Sequence, residues 1–454
     1  MINHSTADQS VREAYSADAS GLRLVPDQVA RPASDLEVRE IIRQAVTDRI
    51  PVTCAGAQTS TTGASITDEG ILLSLRGLDR ISAVDESART VRVGAGALMG
   101  DVKRTVAAAG LLFAPDPTSE EESTVGGAIA CNASGARTFK YGATRKHVRS
   151  LRVVLASGEI TEFRRTDLEK NTVGYAFAHD PIDWFIGSEG TLGIILEAEL
   201  SLLPLPRRVA GLAVFFREEA QALAFVVAAR EAGLVEPRCI EYFDGQALDI
   251  ARGSKTVALP DSAMAMVYVE EEISDELDEA LTRWIEVIES VSVDFEPLVF
   301  DGEASLREAR RMRHSIPATM NERGGRHNVT GGRKVSTDWA VPYRRLAEAI
   351  GKARLLAEEC RLDQAVIYGH AGNGHPHQNF IARDPVELTT IEKVVEQTLR
   401  YVIAIGGTVA AEHGIGKIKR RWLPLQMNSL QISMMSAIKR ELDPLGILAP
   451  GNIL

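Results

Sequence analysis

Thr124-Val-Gly-Gly-Ala-Ile-Ala-Cys-Asn-Ala-Ser-Gly135 decides how the chain is read. Gly126, Gly127 and Gly135 let backbone N–H groups come close to a phosphate, and Asn132 and Ser134 add side-chain hydrogen bonds. A pyrophosphate is satisfied by such an arrangement. One glycine pair alone is most simply a surface turn. Two further small-residue loops, Ala55-Gly-Ala-Gln-Thr-Ser-Thr-Thr-Gly63 and Gly187-Ser-Glu-Gly-Thr-Leu-Gly193, lie in the same half of the chain. Three such loops in one domain are harder to dismiss.

A second signature lies far downstream. His370-Ala-Gly-Asn-Gly-His-Pro-His377 carries three imidazoles, and Glu412-His413-Gly414 follows some way on with a carboxylate and a fourth. Taken singly, each histidine reads as a hydrogen-bonded core or surface residue. Taken together they suit a divalent transition metal, which takes His nitrogen and carboxylate oxygen and leaves a position open in a catalytic site. A phosphate cradle with a metal-and-base site suggests a cofactor enzyme acting on a small oxygenated substrate.

Outward from these motifs the chain reads as alternating short strands and helices. Helical spacing marks residues 36–49 and 99–109, and strands are expected at 51–55, 71–75, 90–95, 151–155 and 160–163. Val93-Gly94-Ala-Gly96-Ala-Leu-Met-Gly100 resembles a dinucleotide fingerprint, but its third glycine is one residue late; it reads as a strand end and a helix start. Leu203-Pro-Leu-Pro206 interrupts regular structure and marks a domain boundary. Beyond it, strands at 209–215 and 263–270 alternate with helices at 217–232 and 274–290, as in a compact α/β domain. A helix at 340–360, strands at 365–369 and 377–382, a helix at 386–405 and an amphipathic helix from Met434 to Leu442 complete the reading.

The 454 residues call for more than one domain. With 62 acidic and 51 basic side chains the net charge is −11, which argues against nucleic acid or an anionic membrane as the main partner. Cys54, Cys131, Cys239 and Cys360 are scattered, which argues against a disulfide framework, a cysteine zinc site and an iron–sulfur cluster. No apolar run reaches the ~18 residues of a membrane span. The N-terminus lacks a basic and apolar leader, so a cytoplasmic location is expected, with membrane association only peripheral, at the inner membrane through a partner.

Nearly the whole chain resembles the flavoproteins of the vanillyl-alcohol-oxidase type. The branch it is most similar to contains D-lactate dehydrogenases, D-2-hydroxyglutarate dehydrogenases and the catalytic subunit of glycolate oxidase. The resemblance rests on Tyr15-Ser-Ala-Asp-Ala-Ser20, Pro115-Asp-Pro-Thr118, Val125 to Gly135, Tyr141-Gly142, Ile186 to Gly193, Thr337-Asp338, His370 to His377, Glu412-His-Gly-Ile-Gly416 and Asp443-Pro444. It implies an α+β protein. A two-subdomain FAD-binding domain spans 1–206, an α/β cap with the metal site spans 207–415, and a C-terminal helical segment at 416–454 packs back near the FAD domain.

The resemblance also implies the cofactor residues. They are Ala55, Gly56, Ala57, Gln58, Thr59, Ser60 and Gly63; Pro115, Asp116 and Thr118; Gly126, Gly127, Asn132, Ser134 and Gly135; Tyr141 and Gly142; and Glu189, Gly190, Gly193 and Ile194. Loop 55–63 has no His or Cys for covalent attachment, which points to noncovalent FAD. Ala55 stands where the pattern has Arg and Gln58 where it has Gly, which bears on FAD affinity.

In the related motif, His-x-Gly-Asp-Gly-Asn-x-His, Asn373 replaces the Asp and His375 the Asn. The resemblance makes His370, His377 and Glu412 the ligands of a Zn, Mn or Fe ion and His413 the catalytic base. His375 reads as a supporting or solvent-facing turn residue before it reads as a ligand. Arg313 aligns with a substrate arginine, which suits a carboxylate bidentately, while Arg310 and Arg311 read as a solvated helix face. Lys334, Asn379 and Tyr175 are further substrate candidates. The expected activity is FAD- and metal-dependent oxidation of a D-2-hydroxy acid, D-lactate first and D-2-hydroxyglutarate or glycolate as alternatives. Electrons then pass to a separate quinone, cytochrome, electron-transfer flavoprotein or iron–sulfur subunit. A transferase or noncatalytic flavoprotein of the same fold is the competing class, and a homodimer the default assembly.

Overall fold

Ser34 starts the first long helix, Asp35–Asp48, by accepting a hydrogen bond from Glu37 N–H, and Arg49 ends it in the left-handed region. Its buried face is Val38, Ile41, Ile42 and Ala45, the three-and-four spacing of an amphipathic helix. Residues 4–255, 257–274, 276–291 and 295–454 are described in this computed structural model. They divide into two units: residues 1–134, 142–205 and 412–454, and residues 135–141 and 206–411. The C-terminal run from Glu412 therefore groups with the first unit, and the short piece Gly135–Tyr141 with the second.

The first unit holds strands β1 (Ser5–Thr6), β2 (Gln28–Ala30), β3 (Val52–Ala55), β4 (Ile71–Ser74), β5 (Thr90–Gly94), β6 (Leu111–Leu112), β7 (Val148–Val154), β8 (Ile160–Arg164), β9 (Ile194–Ser201) and β10 (Leu203–Pro204). One sheet runs β1-β2-β4-β3, with β2, β4 and β3 parallel and β1 antiparallel on the edge. The other runs β5-β9-β7-β8 and is antiparallel throughout. β6 and β10 form a separate ladder. One apolar core joins the helix Asp35–Asp48, the helix Met99–Ala108 and the inner faces of both sheets. β5 ends at Gly94 and the next helix starts at Met99, so the fingerprint-like stretch is a strand end and a helix start.

The second unit is a seven-stranded sheet of β11 (Val209–Phe216), β12 (Pro237–Phe243), β13 (Ala265–Glu272), β14 (Leu298–Asp301), β15 (Arg333–Ser336), β16 (Val366–His370) and β17 (His375–Ala382). Its order is β14-β11-β13-β12-β16-β17-β15, and every neighbouring pair is antiparallel. The strand–helix alternation here does not build a parallel sheet. β11 and β12, joined by the helix Glu219–Glu231, run in the same direction, but β13 inserts between them. A 24-residue helix, Gly302–Gly325, has its buried side at Ala309, Met312, Arg313, Ile316 and Met320. Those apolar residues share a core with Ala213, Phe243, Tyr268 and Tyr368 of the sheet.

Candidate functional site

In the first unit the three small-residue loops converge. Thr124 caps the helix Val125–Cys131 by accepting from Gly127 N–H at 3.2 Å. A Cβ on Gly56 would fall 2.1 Å from Thr124 Oγ1, so loop 55–63 lies directly on that cap. Gly190, at φ +77°, faces Cys54 at the end of β3. Gly187 N–H and Glu189 N–H donate to Ile129 and Ala130 carbonyls, tying the third loop to the same short helix. Gly126 packs on Ala95 and Gly193 on Val153 and Phe185, where a side chain would collide. This cradle of backbone, with small side chains at its closest points, fits a dinucleotide pyrophosphate.

Individual residues of that set hold different places. Gln58 takes φ 56°, a left-handed conformation that glycine adopts freely. Its Nε2 donates to the carbonyls of Tyr15 and Ala17 at 2.9 and 3.0 Å, so the bulk of the side chain points to the N-terminal segment. Ala55 is buried, Ala57 and Thr59 are half-buried, Ser60 Oγ meets Thr62 Oγ1 at 3.3 Å, and Gly63 has φ +77°. Pro115 is buried, Asp116 half-buried and Thr118 exposed, ahead of the cap; Ile194 opens β9. Asn132 ends the short helix in the left-handed region, and its Oδ1 accepts from Arg145 N–H at 2.9 Å.

Glu189 is a structural clamp. Its carboxylate accepts Ile415 N–H at 2.6 Å and Gly416 N–H at 2.7 Å. Burial pushes its carboxyl upward against those two amides. Gly414, at φ +77°, passes so close that a Cβ would sit 2.4 Å from Glu189 Oε1. The clamp fixes the loop that carries Glu412 and His413. Glu412 Oε2 takes Ser134 Oγ at 3.4 Å, and His413 Nε2 lies 3.3 Å from Glu412 Oε1. Gly142 has φ +86°. Tyr175 is 77% exposed on the surface, stacked on Phe177 with ring centroids 5.8 Å apart.

In the second unit, Gly135 N–H donates to Thr138 Oγ1 at 3.0 Å, and the Tyr141 hydroxyl bonds the Glu272 carboxylate. The histidines lie on β16 and β17, where the register sets His370 opposite His375 and Tyr368 opposite His377. Alternation puts His375, His377 and Asn379 on one face of β17. The three imidazole centroids are 4.7, 5.2 and 5.3 Å apart, and all three rings are buried. The Asn373–Gly374 turn brings them together: Gly374 has φ +67°, and its carbonyl accepts Val341 N–H at 3.0 Å. Asn373 is exposed, whereas His375 is buried in the cluster and not a solvent-facing turn residue.

Two carboxylates frame the imidazoles, and neither was assigned a role from sequence. Glu241 of β12 accepts on both oxygens: Oε1 is 2.6 Å from His370 Nδ1 and Oε2 is 3.3 Å from Arg313 Nε. Burial pushes Glu241 up, but the charges of His370, Arg313 and His377 prevail and hold it at about 2. Asp338 Oδ1 lies 3.0 Å from His375 Nε2. Donor atoms of Asp338, His375 and His377 all lie within 4.8 Å of one another, a nitrogen and oxygen set that fits a divalent transition metal.

Arg313 is thus brought beside the histidines, with its guanidinium 5.3 Å over the Tyr368 ring. Lys334 Nζ donates to Asn321 Oδ1 at 2.5 Å, and burial pushes its ammonium down. Asn379 is buried; its Nδ2 donates to His377 O at 3.4 Å and its Oδ1 has no hydrogen-bond partner among the described residues. All four cysteines are free thiols, and burial pushes Cys54 and Cys131 up to about 12, so neither offers a thiolate at neutral pH.

A family model described as FAD binding domain matches residues 26–164, and one described as FAD linked oxidases, C-terminal domain, matches residues 205–453. The chain is 32% identical to the glycolate oxidase subunit GlcD of Bacillus subtilis, over 97% of this chain and 92% of that one. It is 32% identical to a D-lactate dehydrogenase of Archaeoglobus fulgidus, over 94% and 91%. A D-2-hydroxyglutarate dehydrogenase of Xanthomonas citri pv. viticola is 29% identical, over 94% and 89%. Among solved structures, an alkyldihydroxyacetonephosphate synthase superposes with a TM-score of 0.73 at 18% identity, covering 99% of this chain and 82% of that one. At that identity the likeness shows the fold alone.

Proposed function

The chain belongs to the FAD-linked oxidase family, and from that premise we propose that it oxidises a D-2-hydroxy acid, D-lactate first, to the 2-keto acid. At the coarser level it is an FAD-linked oxidoreductase of the D-lactate, D-2-hydroxyglutarate and glycolate oxidase group. The observation that carries the finer reading is the buried gathering of His370, His375, His377 and Asp338, with Glu241 orienting His370. Ala411 N–H is bonded to the Asp338 carbonyl at 2.8 Å, and the chain continues directly into Glu412 and His413.

When bound, FAD supplies the hydride acceptor at N5, and a divalent ion supplies the positive charge that lowers a substrate hydroxyl pKa. The glycine cradle of the first unit is the proposed FAD site, with FAD held noncovalently. His370, His377 and Glu412 are the proposed core of the metal site. His413 accepts the hydroxyl proton as general base, its loop held by the two amides that Glu189 clamps. Arg313 and Asn379 are the proposed contacts for the carboxylate and hydroxyl, with Lys334 beside them; Arg313 reaches its place with its Nε edge against Glu241. Tyr175 is a further proposed substrate contact. Electrons leave to a separate acceptor, a quinone, cytochrome, electron-transfer flavoprotein or iron–sulfur subunit. A cytoplasmic homodimer, peripheral to the membrane through that partner, completes the proposal. Among the described residues no helix is long and apolar enough to cross a membrane.

Anaerobic flavin reduction tests the reading. Purified protein loaded with FAD and metal is mixed with D- and L-lactate, D- and L-2-hydroxyglutarate, and glycolate, with and without chelator. Rapid, D-specific, chelator-sensitive bleaching of the flavin band is expected, fastest with D-lactate. Faster bleaching by another acid moves the substrate within the group. No bleaching by any acid refutes the dehydrogenase reading in favour of a transferase or noncatalytic flavoprotein.

A further inference from the structure

We propose that His375 and Asp338 bind the divalent ion directly, so that the second unit alone presents three imidazoles, from His370, His375 and His377, and one carboxylate. The inference rests on the metal-dependent reading above and adds two ligands to it.

The contact between His375 and Asp338 is the first ground. Nε2 and Oδ1 are 3.0 Å apart, yet the approach is not a hydrogen bond, and Nε2 is a buried nitrogen without a hydrogen-bond partner among the described residues. His375 is 4% exposed and Asp338 1%. A buried imidazole nitrogen and a carboxylate oxygen at ion-pair distance, with no hydrogen bond between them, is the arrangement of two ligands facing one ion. Donors bound at ~2.0–2.2 Å lie at most about 4.4 Å apart. The donors of Asp338, His375 and His377 all fall within 4.8 Å, so shifts of a few tenths of an ångström bring these three onto one ion.

The backbone around Asp338 is the second ground. Thr337 N–H donates to Gln378 O at 2.9 Å, and Gln378 N–H donates to Thr337 Oγ1 at 3.2 Å. Three residues past Asp338, Val341 N–H is bonded to Gly374 O. The carboxylate is therefore held against β17 from both sides before any ion arrives. His370 is oriented in the same way, with Nδ1 on the Glu241 carboxylate, the arrangement that orients histidine ligands. A third imidazole shifts preference toward Co, Ni and Zn and away from Mg and Mn.

The test uses the full-length protein, stripped by chelator and titrated with Zn²⁺ against a chromophoric competitor, then with Co²⁺ for its visible spectrum. The variants are His375→Asn, His375→Gln, Asp338→Asn and His377→Asn, with circular dichroism of each apo form as the folding check. An outer contact changes affinity by about 10–100-fold and leaves the ligand field as it was. Loss of a ligand at 375 or 338 is expected to exceed about 100-fold and to alter the Co²⁺ bands. X-ray absorption of the Zn-loaded wild type counts the imidazoles with no substitution: three are expected, and two or fewer overturn the proposal. Unchanged affinity and spectrum in both position-375 variants and in Asp338→Asn, with metal lost in His377→Asn, also overturn it while the metal-dependent reading stands. A wild type that binds neither ion overturns both.

Discussion

Glu241 Oε1 lies 2.6 Å from Nδ1 of His370, and both side chains are buried. The pair ties a central strand of the sheet to the first histidine of the cluster. Because Glu241 also receives Arg313 Nε, one carboxylate orients an imidazole on one side and a guanidinium on the other. Glu241→Gln keeps the shape and removes the charge. Metal affinity is expected to fall about 10–100-fold through His370. Stability is expected to fall by about 3–5 kcal/mol, because Arg313 loses this buried counter-charge. Competition titration and urea unfolding measure the two. Wild-type metal affinity in the variant would show that Glu241 does not set the His370 ring.

Glu270 gives the acid sensitivity. Burial pushes its carboxyl up, but Arg137 and Arg238 outweigh burial and hold it at about 2. Their nitrogens lie 3.1 and 3.0 Å from Oε2. The folded pKa is below the ordinary 4.5, so the ionised form is favoured in the folded state. That stability is complete above about pH 4.5 and is lost as pH falls toward 2. Its size is about 3 kcal/mol. Urea unfolding from pH 7 down to pH 3 is expected to show this slope, and Glu270→Gln to flatten it. An unchanged slope in the variant assigns acid unfolding to other carboxylates.

The sequence carried much of this. The glycine loops were legible because close backbone approach leaves few choices of residue, and Gly56 on Thr124 shows that constraint. The imidazoles were legible as a motif on one short turn. Glu241 was not, because Pro237–Phe243 is buried at every position and shows no alternation to mark its carboxylate. Asp338 was visible as a residue but not as a neighbour of His375, since the pairing of Thr337 with Gln378 is a tertiary contact. Of the helix Gly302–Gly325 only the solvated face of Arg310 and Arg311 was read from sequence; its length was obscured by Pro317, although Ala309, Met312, Ile316 and Met320 keep helical spacing. The cap was expected to layer strands with helices, and it does; its strand order was not legible, because alternation along the chain does not reveal that β13 inserts between β11 and β12.

Glu189 sets the His413 loop. Replacing it with Ala leaves the amides of Ile415 and Gly416 without their carboxylate acceptor, at about 1–3 kcal/mol each. Exchange of those two amides is expected to quicken at least about tenfold in Glu189→Ala. Glu189→Gln, which keeps one acceptor oxygen, is expected to fall between Ala and wild type. Hydrogen exchange of the 412–416 segment gives the answer. Unchanged protection in the Ala variant means that the loop is held by other contacts.

The Asn373–Gly374 turn separates a residue that can change from one that cannot. Asn373 is exposed and Gly374 buried. Gly374 has φ +67°, and a Cβ there would fall 1.9 Å from the Val341 carbonyl oxygen. Gly374→Ala therefore adds about 1–2 kcal/mol of backbone strain to a steric clash, for a total of roughly 3 kcal/mol or more. The displacement falls on both sides of the imidazole cluster, because Val341 belongs to the segment that positions Asp338 and His375 is the next residue on the other strand. Thermal unfolding and metal content are both expected to drop in Gly374→Ala. Asn373→Asp changes a solvent-facing side chain and is expected to stay within about 0.5 kcal/mol of wild type with full metal content. If instead Asn373→Asp altered metal content and Gly374→Ala did not, the ion would be bound on the outer side of the turn, away from the buried imidazoles.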